Sequence, residues 1–427
     1  MSLTKELYEQ FRAQIFEVID ASVVNQMTPQ ELNAQIERAI GKLCENYPTP
    51  VPAVTRAELS KNLVDELVGL GPLQQLMEDE SISDIMVNGV DEVFIERNGK
   101  TQKVDISFMN HQQLIEIAKR IANNVGRRVD ESSPLCDARL EDGSRVNVVI
   151  PPIALDGVAI SIRKFKEQKL GLRELVGFGA MSPAMARVLM IAARCRLNII
   201  ISGGTGSGKT TMLNALSQYI GNDERILTIE DAAELRIQQP HVVRLETRPA
   251  STEGSGAITQ RDLVINALRM RPERIILGEC RGAEAFEMLQ AMNTGHDGSM
   301  STLHANTPRD AMSRIESMVM MANLALPLAA IRRTIVSAVN LIIQVNRLRD
   351  GSRKVTSITE IYGLEGEAPV MEEIFRFSQD TEQGKDKISG SFVTSGLPSR
   401  SQISIRASEY GLSRELEAAF EMEAESV

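Results

Sequence analysis

At 427 residues the chain is long enough for two or three domains, and its net charge of −10 argues against a general, sequence-independent grip on nucleic acid while leaving room for a local basic patch. No apolar run reaches the roughly 18 residues of a membrane span, and the charged, amphipathic start after Met1 reads as a helix rather than a leader, so a cytoplasmic protein is expected. The four cysteines, Cys44, Cys136, Cys195 and Cys280, form no C-x-x-C, which predicts buried thiols and no zinc.

Residues 1–50 are expected to form an N-terminal helical segment. Leu3, Leu7, Phe11, Ile15 and Val18 fall at helical spacing, and Leu32, Ile36, Ile40 and Leu43 make a second stripe. Between them Thr28, Pro29 and Glu31 supply an N-cap, a first-turn proline and a capping-box acid. The proline-dense Tyr47–Pro52 reads as a linker. A smaller α+β domain is expected over 56–165. It has a helix over 59–70, strands over 82–87, 93–96 and 103–106, a helix over 112–124, and strands over 138–140, 145–150 and 158–164. Asn88-Gly89, Asn98-Gly99 and Asp142-Gly143 are its turn signals. Residues 166–181 read as a hinge linker, and strands then alternate with helices over 182–365, the pattern of a parallel α/β sheet. The extension 366–427 carries one expected strand (370–377), a polar stretch (378–401) expected to be mobile, and an acidic helix (412–425).

The most informative stretch is Leu197–Ser202 followed by Gly203, Gly204, Thr205, Gly206, Ser207, Gly208, Lys209 and Thr210. A β-branched apolar run, a G-x-x-x-x-G-K-T loop and a helix beginning near Thr211 come in the order a phosphate-binding loop requires. Glycines let the backbone turn tightly and leave amide N–H groups to point at phosphate oxygens, and the helix N-terminus adds donors and partial positive charge. Lys209 is expected to reach the β- and γ-phosphates and Thr210 to offer its hydroxyl to Mg²⁺, making ATP and Mg²⁺ the expected ligands.

Three further clusters stand at or beyond strand ends, where open α/β sheets bind ligands. Glu230-Asp231 ends one strand. Gly278-Glu279-Cys280-Arg281 ends another, with glycine where a metal-organising Asp often stands, so Glu279 is expected to polarise the attacking water and Glu230 to assist it and the metal. His296 and His304 bracket the third, Thr294–Asn306, whose spacing fits no common zinc pattern. A γ-phosphate or subunit-contact sensor role suits His304.

The four clusters together resemble the motifs of the secretion-ATPase superfamily, which drives type II secretion, type IV pili and type IV secretion. Within it, Asp84–Gly89, Gly126–Glu131, Asp137–Arg139, Asp142–Asn147 and Ser161–Phe165 resemble the tight-adherence (Flp-type) pilus assembly ATPase. The resemblance covers roughly residues 55–365. It implies a RecA-like P-loop domain preceded by the α+β domain, and a homohexamer that works with inner-membrane pilus platform proteins and without direct nucleic-acid contact. It also implies that Arg139, Arg145 and Arg163 approach the phosphates, with Arg269, Arg271 and Arg281 as candidates for contacts across a subunit boundary. The expected function is a Mg²⁺-dependent ATPase powering Flp pilus assembly, with extension or retraction left open. Alternatives are a type IV secretion traffic ATPase, a RecA-like nucleic-acid motor, and a nucleotide-gated scaffold.

Overall fold

The computed structural model describes residues 5–18, 27–97, 99–165, 170–248, 250, 255–380, 388–397 and 401–424. Asn98 of the expected turn, 166–169 of the expected hinge, and 381–387 and 398–400 of the polar tail lie outside them. The chain divides into two compact units, Met1–Glu167 and Gln168–Val427.

In the first unit, helices α1 (Lys5–Val18), α2 (Pro29–Glu45) and α3 (Ala53–Leu67) bury Leu7, Phe11, Ile15, Leu32, Ile36, Ile40, Leu59 and Leu63 in a core of their own. The Thr28–Glu31 capping box starts α2, with the Thr28 amide donating to Glu31 Oε2 at 2.9 Å. Helix α3 begins well before the expected 59, because Pro52 leaves Ala53 free to open a helix whose buried face, Leu59 and Leu63, belongs to this bundle.

After a short helix α4 (Gln74–Glu78) come β1 (Ile82–Asn88), β2 (Val93–Arg97), β3 (Lys100–Lys103), α5 (His111–Asn124), β4 (Leu135–Arg139), β5 (Arg145–Val149) and β6 (Ala159–Arg163). The strands form one antiparallel sheet in the order β3-β2-β1-β6-β5-β4. Strand β3 lies three residues earlier than expected. Two residues separate it from β2, so Arg97 must pair with Lys100, and the turn sets the register. Strand β4 likewise starts earlier, at Leu135, drawn out by pairing with Val149.

The second unit opens with α6 (Leu172–Gly177), whose Leu172 is buried in the core, so residues 172–177 of the segment expected as a hinge are helical and packed. Then follow α7 (Pro183–Arg194), β7 (Ile199–Ser202), α8 (Lys209–Ser217), β8 (Ile226–Glu230), β9 (Val242–Glu246), α9 (Gln260–Ala267), β10 (Arg274–Leu277), α10 (Glu284–Asn293), β11 (Met300–Leu303), α11 (Pro308–Met320), α12 (Leu328–Ala338) and β12 (Leu341–Arg347). Strands β12-β7-β11-β10-β8-β9 lie parallel in that order. The sheet is covered on both faces. Ile199 and Ile201 enter one core and Ile200 the other, as the two-residue period of a strand dictates.

The tail corrects the expectation of a mobile polar stretch. Strands β13 (Arg353–Glu365), β14 (Ala368–Gln379) and β15 (Gly390–Thr394) extend the sheet antiparallel, and helices α13 (Gln402–Glu409) and α14 (Ser413–Ala424) pack onto it. Its few apolar residues are well placed. Phe392 meets Phe377 at 5.1 Å, Phe420 stacks on Phe375 at 5.1 Å, and Ile403, Ala407, Leu416 and Ala419 join the core. The fully buried Glu360 caps this docking. Its carboxylate accepts from the Ile403 amide (3.0 Å), Ser401 Oγ (2.9 Å) and Tyr362 Oη (2.8 Å). Burial pushes its pKa up against the pull of those donors.

Candidate active site

The strand order brings the carboxyl ends of β7, β11, β10 and β8 to one edge of the sheet. The phosphate loop follows β7. Gly203 is indispensable there, since a Cβ would stand 2.2 Å from the Val345 carbonyl and 2.5 Å from Ser207 Oγ. Gly206 and Gly208 take φ of +68° and +100°, in the region that favours glycine, which returns the chain into α8. Gly204 has open space beside it, and Thr205 is exposed. Ser207 Oγ donates to the Gly204 carbonyl at 2.9 Å. Lys209, Thr210 and Thr211 form the first turn of α8, whose leading amides have no partner within the helix.

Lys209 is buried, and its ammonium donates to the Gly203 (3.1 Å) and Gly204 (3.0 Å) carbonyls. It also stands 3.4 Å from His304 Nδ1 and 3.5 Å from Nε2. Burial lowers its pKa, aided by Arg281 and opposed by Glu279. His304 is held below the usual imidazole range, first by burial and then by Lys209, so the ring is neutral near pH 7.

Glu279 lies between Arg281 and His304, beside Lys209. Arg281 Nη2 donates to its Oε2 at 2.7 Å, while Oε1 stands 2.7 Å from His304 Nε2 but out of line for a hydrogen bond, leaving that buried oxygen without an aligned donor. Burial pushes the Glu279 pKa up, but the hydrogen bond and charge of Arg281, with the charge of Lys209, outweigh it and hold the group ionised; His304 adds to this only when protonated. The residue is bracketed by one neighbour on β11. Thr302 Oγ1 donates to the Gly278 carbonyl (2.6 Å) and the Thr302 carbonyl accepts from the Cys280 amide (2.8 Å). Arg281, expected as a candidate for subunit contacts, is thus a partner of Glu279 within its own chain, and its Nη1 lies 3.5 Å from Asp231.

Glu230 occupies a different environment. Its Oε1 accepts from the Glu234 and Leu235 amides, both at 2.8 Å, while Oε2 is buried without a hydrogen-bond partner. Burial raises its pKa from 4.5 to about 7, and the two amides and Arg244 only partly offset that. A Cβ on Gly278 would come 2.8 Å from Glu230 Cγ, so the glycine at the place of the usual Asp makes room for this side chain. The two histidines of the third cluster separate in role. His296 Nδ1 pairs with the Ala291 carbonyl (3.2 Å) at the end of α10, a structural contact. Arg269 and Arg271 follow α9, Arg271 with φ of +55°.

In the first unit, Arg139 pairs with Arg145, Arg145 with Arg163, and Arg163 with Asp84 across four adjacent strands. Directly opposed residues of antiparallel strands share a face, so the three arginines form a row. Asp84 accepts from Arg163 Nε at 3.1 Å, and Asp137 lies 3.7 Å from Arg145. The contact of Arg353 with the phosphate loop had no signal in the sequence, because it comes from 147 residues further along the chain.

The donor set suits a polyphosphate. The Lys209 ammonium stands beside the loop amides and the free N–H groups of the α8 N-terminus, all donors to phosphate oxygens. Among the described residues no three His, Cys, Asp or Glu side chains converge as a metal cage. A Mg²⁺ ion, which takes few protein ligands and leans on phosphate oxygens, would draw on the Thr210 hydroxyl and the unpartnered Glu230 Oε2.

Parallel sheet, glycine loop and lysine-led helix define a phosphate-loop α/β protein. The chain belongs to the type II/IV secretion system protein family, whose model matches residues 66–385, and so to the secretion-ATPase superfamily. It is 37% identical over 310 residues to a Mycobacterium tuberculosis protein provisionally named a conjugal transfer protein, covering 71% of this chain and 88% of that one. It is 30% identical over 331 residues to the type IV secretion system protein VirB11 of Bartonella quintana (68% and 92% covered). The crystal structure of the Brucella suis VirB11 ATPase in complex with sulphate is 29% identical, with 68% of this chain and 95% of that one covered and a TM-score of 0.37. No helix among the described residues is long and apolar enough to cross a membrane.

Proposed function

We propose that this protein is a Mg²⁺-dependent ATPase motor whose hydrolysis site is the Lys209–Glu279–His304 cluster. The observation that carries the reading is Glu279, held ionised by Arg281 and Lys209 at the sheet edge, with His304 Nε2 2.7 Å from its Oε1. Loop amides and Lys209 would bind the β- and γ-phosphates of ATP, Lys209 exchanging its two carbonyl partners for phosphate oxygens. Thr210, with Glu230 behind it, would hold Mg²⁺, which when bound neutralises charge on the β- and γ-oxygens. Glu279 Oε1, lacking an aligned donor, is free to accept a proton from water. Neutral His304 beside it can orient that water or report the γ-phosphate. The resemblance assigns Arg139, Arg145 and Arg163, which form a row in the first unit, to stabilising charge that develops on the γ-phosphoryl group.

The finer assignment is a homohexameric, cytoplasmic ATPase that powers Flp-type pilus assembly through inner-membrane platform proteins, and the first-unit motifs from Asp84 to Phe165 support it. The names of the relatives favour a second reading, a type IV secretion traffic ATPase. In this division of labour residues 182–365 are the ATPase core with 366–427 folded onto it, 56–165 carry the arginine row, and the boundaries expected at 50 and 166–181 yield to a helical bundle that includes α3 and to the packed helix α6. Glu279→Gln should keep ATP binding and lose turnover by roughly 10²–10⁴-fold. Unchanged phosphate release in that variant would sink the assignment. Membrane proteins that co-purify with the hydrolysis-blocked variant separate the two readings, pilus platform components on one side and a translocation channel on the other.

A further inference from the structure

The hairpin between β12 and β13 reaches the phosphate loop from the opposite end of the sequence. Arg353 Nε donates to the Gly206 carbonyl at 2.8 Å, 147 residues away in the chain. Its cross-strand partner is Arg347, whose Nη1 lies 3.8 Å from where a Gly206 Cβ would be. The hairpin tip is firmly built. The Leu348 amide donates to the Ser352 carbonyl (2.8 Å), Asp350 Oδ1 accepts from the Ser352 amide (3.0 Å) and hydroxyl (2.6 Å), and Asp350 Oδ2 accepts from the Ile388 amide (2.9 Å).

We infer that Arg353 is a positioning residue that holds the phosphate loop in its β-phosphate-binding shape by anchoring the Gly206 carbonyl. The reason lies in the peptide plane. In a trans peptide the Gly206 carbonyl and the Ser207 N–H point in opposite directions, so fixing one outward fixes the other inward. The loop needs such a hold, because Gly206 and Gly208 both sit at positive φ and glycine resists little. The Ser207 amide now makes only a long 3.4 Å bond to the Gly204 carbonyl, one a phosphate oxygen can replace. Two like charges opposed on a hairpin are unfavourable by themselves, and a carbonyl and a bound anion nearby offset that.

This inference rests on the nucleotide-binding reading, and its test separates the two. Gln carries an N–H on Cδ, at the same distance along the side chain as Arg Nε, but no charge; Met matches the length and donates nothing. Affinities of the full chain for a fluorescent ADP analogue and for ATP would be measured in wild type, Arg353→Met, Arg353→Gln and Lys209→Ala, with steady-state turnover and melting curves. Arg353→Met should weaken ADP and ATP equally, roughly tenfold, with KM for ATP rising in parallel and kcat little changed. Arg353→Gln should recover to within about threefold. A Met variant that binds like wild type overturns the inference alone. Gln as weak as Met overturns it too, because the charge and not the anchored carbonyl would then be at work. Wild type that binds no nucleotide removes the underlying reading as well.

Discussion

Adding one methyl group at Gly278 should disturb both stability and turnover. The new Cβ would lie 2.8 Å from Glu230 Cγ, 3.4 Å from Oε1 and 3.5 Å from Cβ. Glu230 has little room to yield, being 3% exposed with Oε1 held by two backbone amides. Overpacking of this kind costs about 1–3 kcal/mol, and surrendering one amide bond adds about 1 kcal/mol. Gly278→Ala is therefore expected to lose about 2–3 kcal/mol in urea unfolding. Because Glu279 follows directly, a shift of the strand end should also cut turnover, by roughly tenfold or more. The origin of the effect is tested by a cycle with Glu230→Ala, which removes the atoms that are struck. The double variant should be barely less stable than Glu230→Ala alone, giving a coupling of about 1 kcal/mol or more. A Gly278→Ala protein as stable and active as wild type would refute the reasoning, as would strictly additive losses.

Two further outcomes follow from the buried carboxylate and the folded tail. Because burial raises the Glu230 pKa from 4.5 to about 7, the native state holds this proton longer than the unfolded chain does. The stability it contributes is complete below about pH 4.5 and is lost as pH rises through about 7. Relative to Glu230→Gln, metal- and nucleotide-free wild type should lose on the order of 3 kcal/mol between pH 4.5 and 8, and parallel stability curves would contradict it. Leu416→Ala, at a site 3% exposed on α14, should cost about 2–5 kcal/mol in urea unfolding. A loss under about 1 kcal/mol would mean that the tail is an appendage rather than part of the core.

Features written in contiguous residues were legible. Ile199–Ser202, the glycines and Lys209 announce strand, turn and helix because each depends on local φ, side-chain branching or an unpaired amide. Thr28 and Glu31 announce the start of α2 for the same reason. Within the stretch 378–401, where mobility is expected, the polar composition around Gly390–Thr394 hides a pattern that pairing completes. Phe392 is a lone aromatic until β15 sets it beside Phe377, and Glu360 is an acid in a strand until α13 brings Ser401 and Ile403 to it.

By itself the sequence determined the phosphate loop, the alternation of the sheet and the residue types of the site, since backbone geometry and hydrophobic period are properties of neighbours. Tertiary structure alone decided their electrostatics and their partners. Lys209 meets His304 across 95 residues, and Arg353 meets Gly206 across 147. Glu279 is ionised and Glu230 shifted toward its neutral form because strand order sets one among cations and buries the other. The charge on an acid depends on what folding packs against it, and those groups lie far away along the chain.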